Sequence, residues 1–479
     1  MKVVTIETPP LGDRSYLVHD GAAALVVDPQ RDIDRVQDAA TRAQVRITHV
    51  AETHIHNDYV TGGPELARRC GADYLVNGAD DVAFARRPVT GGDEFAVGSL
   101  RVRVVATPGH THHHLSYLVT DPSGAEAVFS GGSLLYGSVG RTDLLGPQDT
   151  DELTRAQYGS VRDLAAAASD DAVLYPTHGF GSFCSSGPAT IVDRSTIGEQ
   201  KRDNHALTDP DEEHFVETLI AGLHAYPAYY AHMGPLNLKG VEAPELTVPE
   251  PLTGDGLRAR IRSGHWVVDL RNRVAFAAEH LKGTVSFEYA DGASFTTFLG
   301  WTLPWGDPIT LVGTLADVES AIRDLSRIGI DGPQVAVGER PEQLSEGHPT
   351  GSYPRVGWAE LRAELRGVDE LRGVDELRGA DQLSGLDELS GGAPAPVVLD
   401  VRRDDEYATG HVDGAVHIPL HSLLDRMHEV PPGRLWVHCA SGYRAGIGAS
   451  ILARAGRDVV HVDAEWADAA DAGIPVLTG

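Results

Sequence analysis

The residues of this chain that could do chemistry fall into two groups, and the first is built of histidines. In "THIHNDY", His54, His56 and Asp58 recur at a spacing of two directly after the apolar run "VRITHVA". At a strand end, residues two apart face the same way, so two imidazoles and a carboxylate there can converge on one cation. "GHTHHH", from His110 to His114, follows the run "RVRVVATP", and "YPTHG", with His178, follows "DDAVLYP". Three histidine sites, each just past a strand, point to one edge of a sheet, and neutral imidazole suits Zn and Fe. Taken singly, His56, His112 or His113 could be turn residues that only hydrogen-bond. The set in this order argues for a metal.

The second group surrounds a cysteine. "LWVHCASGYRAGIGASILARAG" reads as an apolar strand, a turn through Cys439, Ala440, Ser441, Gly442, Tyr443 and Arg444, and a helix of small residues. Such a turn aims backbone N–H groups and a helix N-terminus at whatever the sulfur carries, which favours an anionic persulfide. Arg444 is expected to add positive charge beside it. Cys184, in the small-residue stretch "GFGSFCSSG", is either a plain loop thiol or a sulfur relay near the metal, whereas Cys70 in "ELARRC" reads as a packed helix residue.

These groups need elements to position them. Short alternating runs such as "SYLVHD" and "ALVVDPQ" read as strands, and "DIDRVQDAATRAQV" and "GPELARRC" read as helices, giving a mixed α/β architecture. A Pro-rich link, "APELTVPEPLTG", closes a first segment over residues 1–245. Two further segments, 252–346 and 352–479, share a helix, a buried strand ending in Asp-x-Arg, a Glu and a histidine, and read as diverged copies of one domain. The second of them carries an insertion near 364–394, in which Leu365 to Leu389 recur every six residues. That period fits neither a helix nor a heptad, and each repeat holds a Gly, so it reads as a flexible acidic loop, with a docking surface as the alternative.

Composition bounds the function. The 479 residues imply several domains, and the formal charge of −29 argues against nucleic acid or an anionic membrane as partner. No apolar run approaches the roughly 18 residues of a membrane span, and the N-terminus "MKVVTIETPP" lacks a signal-peptide pattern, so a cytoplasmic location is expected. Three scattered cysteines suit a reducing compartment.

On the histidine motifs, with "GRTDLL" and "STIGEQKRDN", residues 1–245 resemble the metallo-β-lactamase superfamily, and within it the persulfide dioxygenases and glyoxalase-II-type thioester hydrolases. The resemblance implies an αββα sandwich. It places His54, His56 and His110 at the first metal position and Asp58 and His178 at the second. Two positions depart from the pattern: Tyr59 stands where a second-site histidine is usual, and Gly132 where a bridging aspartate is usual, in "VFSGGSLLYG". A binuclear hydrolase, which needs two metals about 3.5–4 Å apart, is therefore disfavoured. One Fe(II) held by three histidines is expected, with His56 or water filling the vacancy at Gly132, Zn(II) as the alternative, and no metal if the site has degenerated.

"VVLDVRRDDEYATGHVDGAVHIP" and the Cys439 loop resemble a rhodanese over residues 352–479. That likeness implies Cys439 as nucleophile and persulfide carrier, residues 440–444 as its cradle, and Asp400, Glu406 and His411 as braces. In residues 252–346 the corresponding "PITLVGTLAD" puts Gly313 in the cysteine's place, leaving a structural role and a subunit interface. Together the domains imply sulfane-sulfur metabolism: a thiol persulfide, such as glutathione persulfide, oxidised to sulfite with O₂ and coupled to sulfur transfer. A Zn-dependent thioester hydrolase and a metal-free sulfur relay stay open as rivals, as does a homo-oligomer.

Overall fold

The computed structural model describes residues 1–187, 192–289, 294–366 and 396–478. The six-residue repeat lies outside the described residues from position 367 on. The chain divides into two compact units: Met1–Leu246 with Gly292–Gly300 and Ala321–Asp331, and Thr247–Asp291 with Trp301–Ser320 and Gly332–Gly479.

The first unit follows from period-two patterning. In Asp13–His19, Tyr16 and Val18 face one way and Leu17 the other; in Ala23–Val27, Leu25 and Val27 oppose Ala24 and Val26. One set meets Val102, Val104, Leu115, Tyr117 and Phe129 of a second sheet, while the other meets helices Asp34–Ala43 and Gly63–Cys70. The second sheet turns Leu118 and Val128 outward onto helices Thr150–Ala167 and Glu212–Ala221. Strands with two apolar faces must be covered on both, and the result is a helix–sheet–sheet–helix stack.

Each of these sheets has six strands. In the first, Lys2–Thr8, Asp13–His19, Ala23–Val27, Arg46–Ala51, Asp73–Asn77 and Arg87–Val89 pair in chain order. In the second, Ser195–Thr196, Val173–Pro176, Glu126–Gly131, Leu115–Thr120, Leu100–Ala106 and Glu94–Val97 pair in reverse order. The C-terminal ends of Arg46–Ala51, Leu100–Ala106 and Val173–Pro176 feed His54, His110 and His178 into one region.

The second unit holds two parallel sheets of one plan. Val285–Ser286, Trp266–Asp269, Ile309–Gly313 and Gln334–Val337 lie side by side in that order. Val416–His417, Val397–Asp400, Leu435–His438 and Val459–Val462 repeat the order, with Arg355–Val356 added at the edge. The likeness reaches side chains. Arg271 binds Asp269 and the carbonyl of Glu279; Arg402 binds Asp400 and the carbonyl of Gly410. His280 Nδ1 donates to the Phe276 carbonyl at 2.8 Å, and His411 Nδ1 to the Tyr407 carbonyl at 3.2 Å. Among the described residues no helix is long and apolar enough to cross a membrane.

Candidate functional site

Three imidazoles of the first unit share one arrangement. Thr53 Oγ1 donates to Asp28 Oδ2 at 2.7 Å, so it accepts from His54 Nδ1 at 2.9 Å. His110 Nδ1 donates to the Arg141 carbonyl at 2.7 Å, and His178 Nδ1 to Asp13 Oδ1 at 2.8 Å. With Nδ1 protonated in each ring, the lone pair sits on Nε2. All three Nε2 atoms are buried and without a hydrogen-bond partner. Burial pulls His54 and His110 well below the usual imidazole range and lowers His178, which keeps the rings neutral. A buried ring nitrogen that makes no bond costs free energy, and a Nδ1 anchored by a carbonyl or carboxylate is the support a metal ligand needs.

Four buried carboxylates surround these rings: Asp13, Asp28, Glu52 and Asp58. Burial pushes Asp13 up to about 7, and burial with the Asp13 carboxylate beside it does the same to Asp58. Asp13 Oδ2 and Asp58 Oδ1 also lack hydrogen-bond partners. Groups of this kind in an interior are paired or hold a cation. Donor atoms within 4.8 Å of one another occur in His54, His56 and His178, in His110, His178 and Cys184, and in Asp13, Asp58 and His178. A fourth such group is Asp28, Glu52 and His56; the residues fit a divalent ion with histidine ligation, and His178 belongs to three of the four groups.

The other expected ligands are placed differently from the sequence reading. His56 Nε2 is taken by Tyr59 Oη at 3.0 Å, Asp28 Oδ1 at 3.3 Å and Glu52 Oε2 at 3.4 Å. Burial works against its charge, but Asp28 and Glu52 outweigh it and lift His56 to about 10; only its Nδ1, 4.0 Å from Asp58, lacks a partner. Tyr59 thus serves His56 rather than a metal. The space opposite Gly132 is filled by neither His56 nor a cavity. A Cβ at Gly132 would collide with the His110 ring, 2.7 Å from its Nε2, so the imidazole occupies the room an aspartate needs. The Gly132 N–H donates to His114 Nε2 at 3.0 Å, and burial lowers His114 to about 3. His112 and His113 are exposed turn residues, His113 donating to Asp80 at 2.8 Å.

The loop carrying Cys184 packs backbone against backbone. Gly12, at φ +70°, would place a Cβ within 2.9 Å of Gly181 Cα. Cys184 itself is fully buried, and burial, with Asp58 and Asp13 near, pushes its thiol well above the usual range. Cys70 is half-buried at the end of its helix and packs on the outer core. A pocket of about 350 Å³ adjoins the cluster, lined by Ile55 and Asn57 from the His54 loop, Thr111, Leu144, Tyr230 and Leu238 among others.

In the second unit, Cys439 follows the buried strand Leu435–His438 and is 1% exposed. Gly442, at φ +85°, caps the helix Tyr443–Arg454, whose first turn holds no acidic residue. A Cβ at Gly442 would collide with Asp463, so only glycine fits this turn. Arg444 does not stand as a lone charge beside the sulfur: both its terminal nitrogens bind Glu406, at 2.5 and 2.6 Å. The turn is held further by His461 donating to the Gly442 carbonyl at 2.8 Å and by Trp466 N–H donating to the Ala440 carbonyl at 2.7 Å. Ser441 is exposed. The cysteine-less copy contributes too: Tyr443 Oη donates to the Glu288 carbonyl at 3.2 Å, and Arg273 joins Glu288 to Asp463. Of the expected braces, Glu406 touches the loop arginine, Asp400 binds Arg402, and His411 stacks on Tyr407.

Register fixes what stands for what between the two copies. His438 pairs with Asp400 and Val312 with Asp269, so Gly313 occupies the place of Cys439. Sequence reading missed Asp13, Asp28 and Glu52 at the histidine cluster and Asp463 at the loop. Asp28 in "VVDPQ" and Glu52 in "AETH" end apolar runs, the same signal that exposed the histidines.

Residues 9–178 match the metallo-beta-lactamase superfamily and residues 384–470 the rhodanese-like domain. A hydroxyacylglutathione hydrolase of Synechococcus sp. (strain CC9605) is 34% identical over 127 residues, 25% of this chain and 51% of that protein. The hydroxyacylglutathione hydrolase of Acidiphilium cryptum (strain JF-5) is 36% identical over 127 residues, 26% of this chain and 52% of that protein. The chain spans about half the length of these curated relatives. The crystal structure of a metallo-beta-lactamase from Staphylococcus aureus subsp. aureus COL superposes with a TM-score of 0.62 at 28% identity, covering 70% of this chain and 99% of that one. The chain is therefore a metallo-beta-lactamase-fold domain followed by a rhodanese-like domain.

Proposed function

We propose that this protein handles sulfane sulfur, with residues 1–245 as the metal-binding domain, 252–346 as a cysteine-less rhodanese-like copy and 352–479 as the working rhodanese. The observation that carries the reading is the placement of Cys439. It lies buried at a strand-to-helix turn that opens a helix, in a site whose scaffold is duplicated around Gly313. The Cys439 thiolate attacks the outer sulfur of a donor, the donor's sulfur–sulfur bond breaks, and the donor leaves as its thiolate or as sulfite. The persulfide on Cys439 then loses its outer sulfur to an acceptor thiol, which leaves Cys439 as thiolate again. Backbone N–H groups of residues 440–444 and the helix N-terminus stabilise the anion. Glu406 aligns Arg444 across the turn.

The metal centre is read as acting on a low-molecular-weight thiol persulfide such as glutathione persulfide. His54, His56, His110 and His178 would hold one Fe(II), which would supply the O₂ chemistry by which a thiol persulfide, O₂ and one water become sulfite and the free thiol; Zn(II) would not. His54 and His110 present neutral Nε2 donors, Asp13 orients His178, and the pocket beside Ile55, Asn57 and Thr111 accepts the thiol's carrier group. The relatives named hydroxyacylglutathione hydrolase favour a second reading, cleavage of a glutathione thioester on Zn(II). The two are separated by measuring O₂ uptake with glutathione persulfide against hydrolysis of an acylglutathione, on protein of known metal content. Hydrolysis without O₂ uptake overturns the dioxygenase reading.

A further inference from the structure

Gly132 leaves the histidine cluster without the anionic ligand its fold usually supplies, and the His110 ring fills that place. A second anion source stands beside His110. A ring nitrogen of His110, a ring nitrogen of His178 and Cys184 Sγ lie within 4.8 Å of one another, all three residues buried. Both rings spend Nδ1 on fixed acceptors, the Arg141 carbonyl at 2.7 Å and Asp13 at 2.8 Å, which leaves each ring with a buried, unpartnered Nε2.

Backbone ties the sulfur to the same frame. The Arg141 carbonyl that anchors His110 belongs to the residue whose N–H donates to the Cys184 carbonyl at 2.9 Å. Gly140 bridges Ser185 one residue further along on each side. His110 and Cys184 are thus set against each other by one short stretch of backbone, not by two independent loops.

We propose that Cys184 is a metal ligand, acting with His110 and His178 as a two-nitrogen, one-sulfur set that replaces the aspartate missing at Gly132. This rests on the reading that the cluster holds a metal ion. Metal–nitrogen and metal–sulfur bonds of about 2.0–2.3 Å put the donors of a tetrahedral ion roughly 3.5 Å apart, so the side chains close by about 1 Å. Binding breaks the S–H bond, the sulfur donates its electron pair to the ion, and one proton leaves to solvent for each ion bound. The thiolate adds the charge that balances a divalent ion, and soft sulfur ligation suits Zn(II) and Fe(II).

The experiment uses the full chain carrying Cys70→Ser and Cys439→Ser, in which Cys184 is the only remaining thiol of three. The protein is titrated with Co(II), and bound metal and near-ultraviolet sulfur-to-metal charge-transfer absorption are read together. The expected result is about one Co(II) per chain with the charge-transfer band. Adding Cys184→Ser, and separately Cys184→Ala, abolishes the band and weakens metal retention by at least about tenfold, the loss that even an outer partner of a ligand causes. Circular dichroism of each variant checks that the fold is kept. Co(II) bound at full stoichiometry without the band overturns the sulfur ligand and leaves the metal site standing. No Co(II) bound by the parent overturns both.

Discussion

The two parallel sheets of the second unit, the later of which lies in the stretch that matches the rhodanese-like domain, share one strand order and differ at the position of Cys439. Both copies keep the Asp-x-Arg pair, Asp269 with Arg271 and Asp400 with Arg402, the arginine reaching the same carbonyl eight residues on. Both keep the histidine that donates one turn back. Only one keeps a cysteine. Features shared by a sheet with a thiol and a sheet without one belong to folding, and on the proposed function the chemistry is confined to Cys439 and the turn after it. The turns differ in length as well: the helix begins at Leu315, two residues past Gly313, but at Tyr443, four residues past Cys439. The shorter turn offers two fewer backbone N–H groups ahead of its helix.

The comparison breaks most decisively at the thiol. Cys439→Ser is expected to lower thiosulfate-to-acceptor sulfur transfer by at least about a thousandfold with the fold intact, since no other group in the turn can form the covalent intermediate. Transfer within tenfold of the parent would remove the assignment. Next in size is the shared brace. Asp400→Ala strands the buried Arg402 guanidinium, which is 1% exposed, and should cost about 3–5 kcal/mol in denaturant unfolding. Asp269→Ala in the cysteine-less copy should cost a comparable amount without touching the sulfur chemistry directly. If Asp400→Ala lowers turnover but leaves stability alone, the division between folding and chemistry is misdrawn.

At the histidine cluster, Gly132→Asp tests whether the missing aspartate can simply be restored. Its Cβ collides with the His110 ring, so overpacking of about 1–3 kcal/mol and loss of bound metal are expected. A variant that binds more metal than the parent would show that His110 swings aside. Glu406→Gln should cost about 1 kcal/mol, because the Arg444–Glu406 pair is partly exposed to solvent screening. Although burial opposes it, Arg444 holds Glu406 below its ordinary value of 4.5, so the pair stabilises fully above that pH and fades as pH falls through the lowered value. The stability gap between parent and Glu406→Gln, followed by denaturant titration, should therefore narrow in acid. Smallest of all is Gly313→Cys, where no gain of sulfur transfer is expected when it is assayed together with Cys439→Ser. Restored transfer would mean that the thiol alone, without the longer turn, suffices.

Much of this was legible in residue order. The histidines after "VRITHVA", "RVRVVATP" and "DDAVLYP" all sit at strand ends, and the helix read from "GPELARRC" is the helix Gly63–Cys70. The two sheets share one strand order, and the repeated Asp-x-Arg and histidine were legible because they are local features with a local signature. Other parts were not legible. Arg444 and the brace Glu406 were both named from the sequence, but their pairing with each other was not; the His110 ring over Gly132 comes from a loop whose path no spacing predicts.

By itself the sequence determined residue type and local period: which runs are strands, where imidazoles and the thiol fall along them, and that position 132 carries no side chain. Convergence was decided by the tertiary structure alone. Asp13 meets His178 across 165 residues of chain, and the Arg141 backbone joins His110 to Cys184. The physical reason is that a donor set is a property of distances between atoms far apart in the chain. Those distances are set by how two apolar-faced sheets stack and how the loops between them close, and no local pattern of residues encodes them.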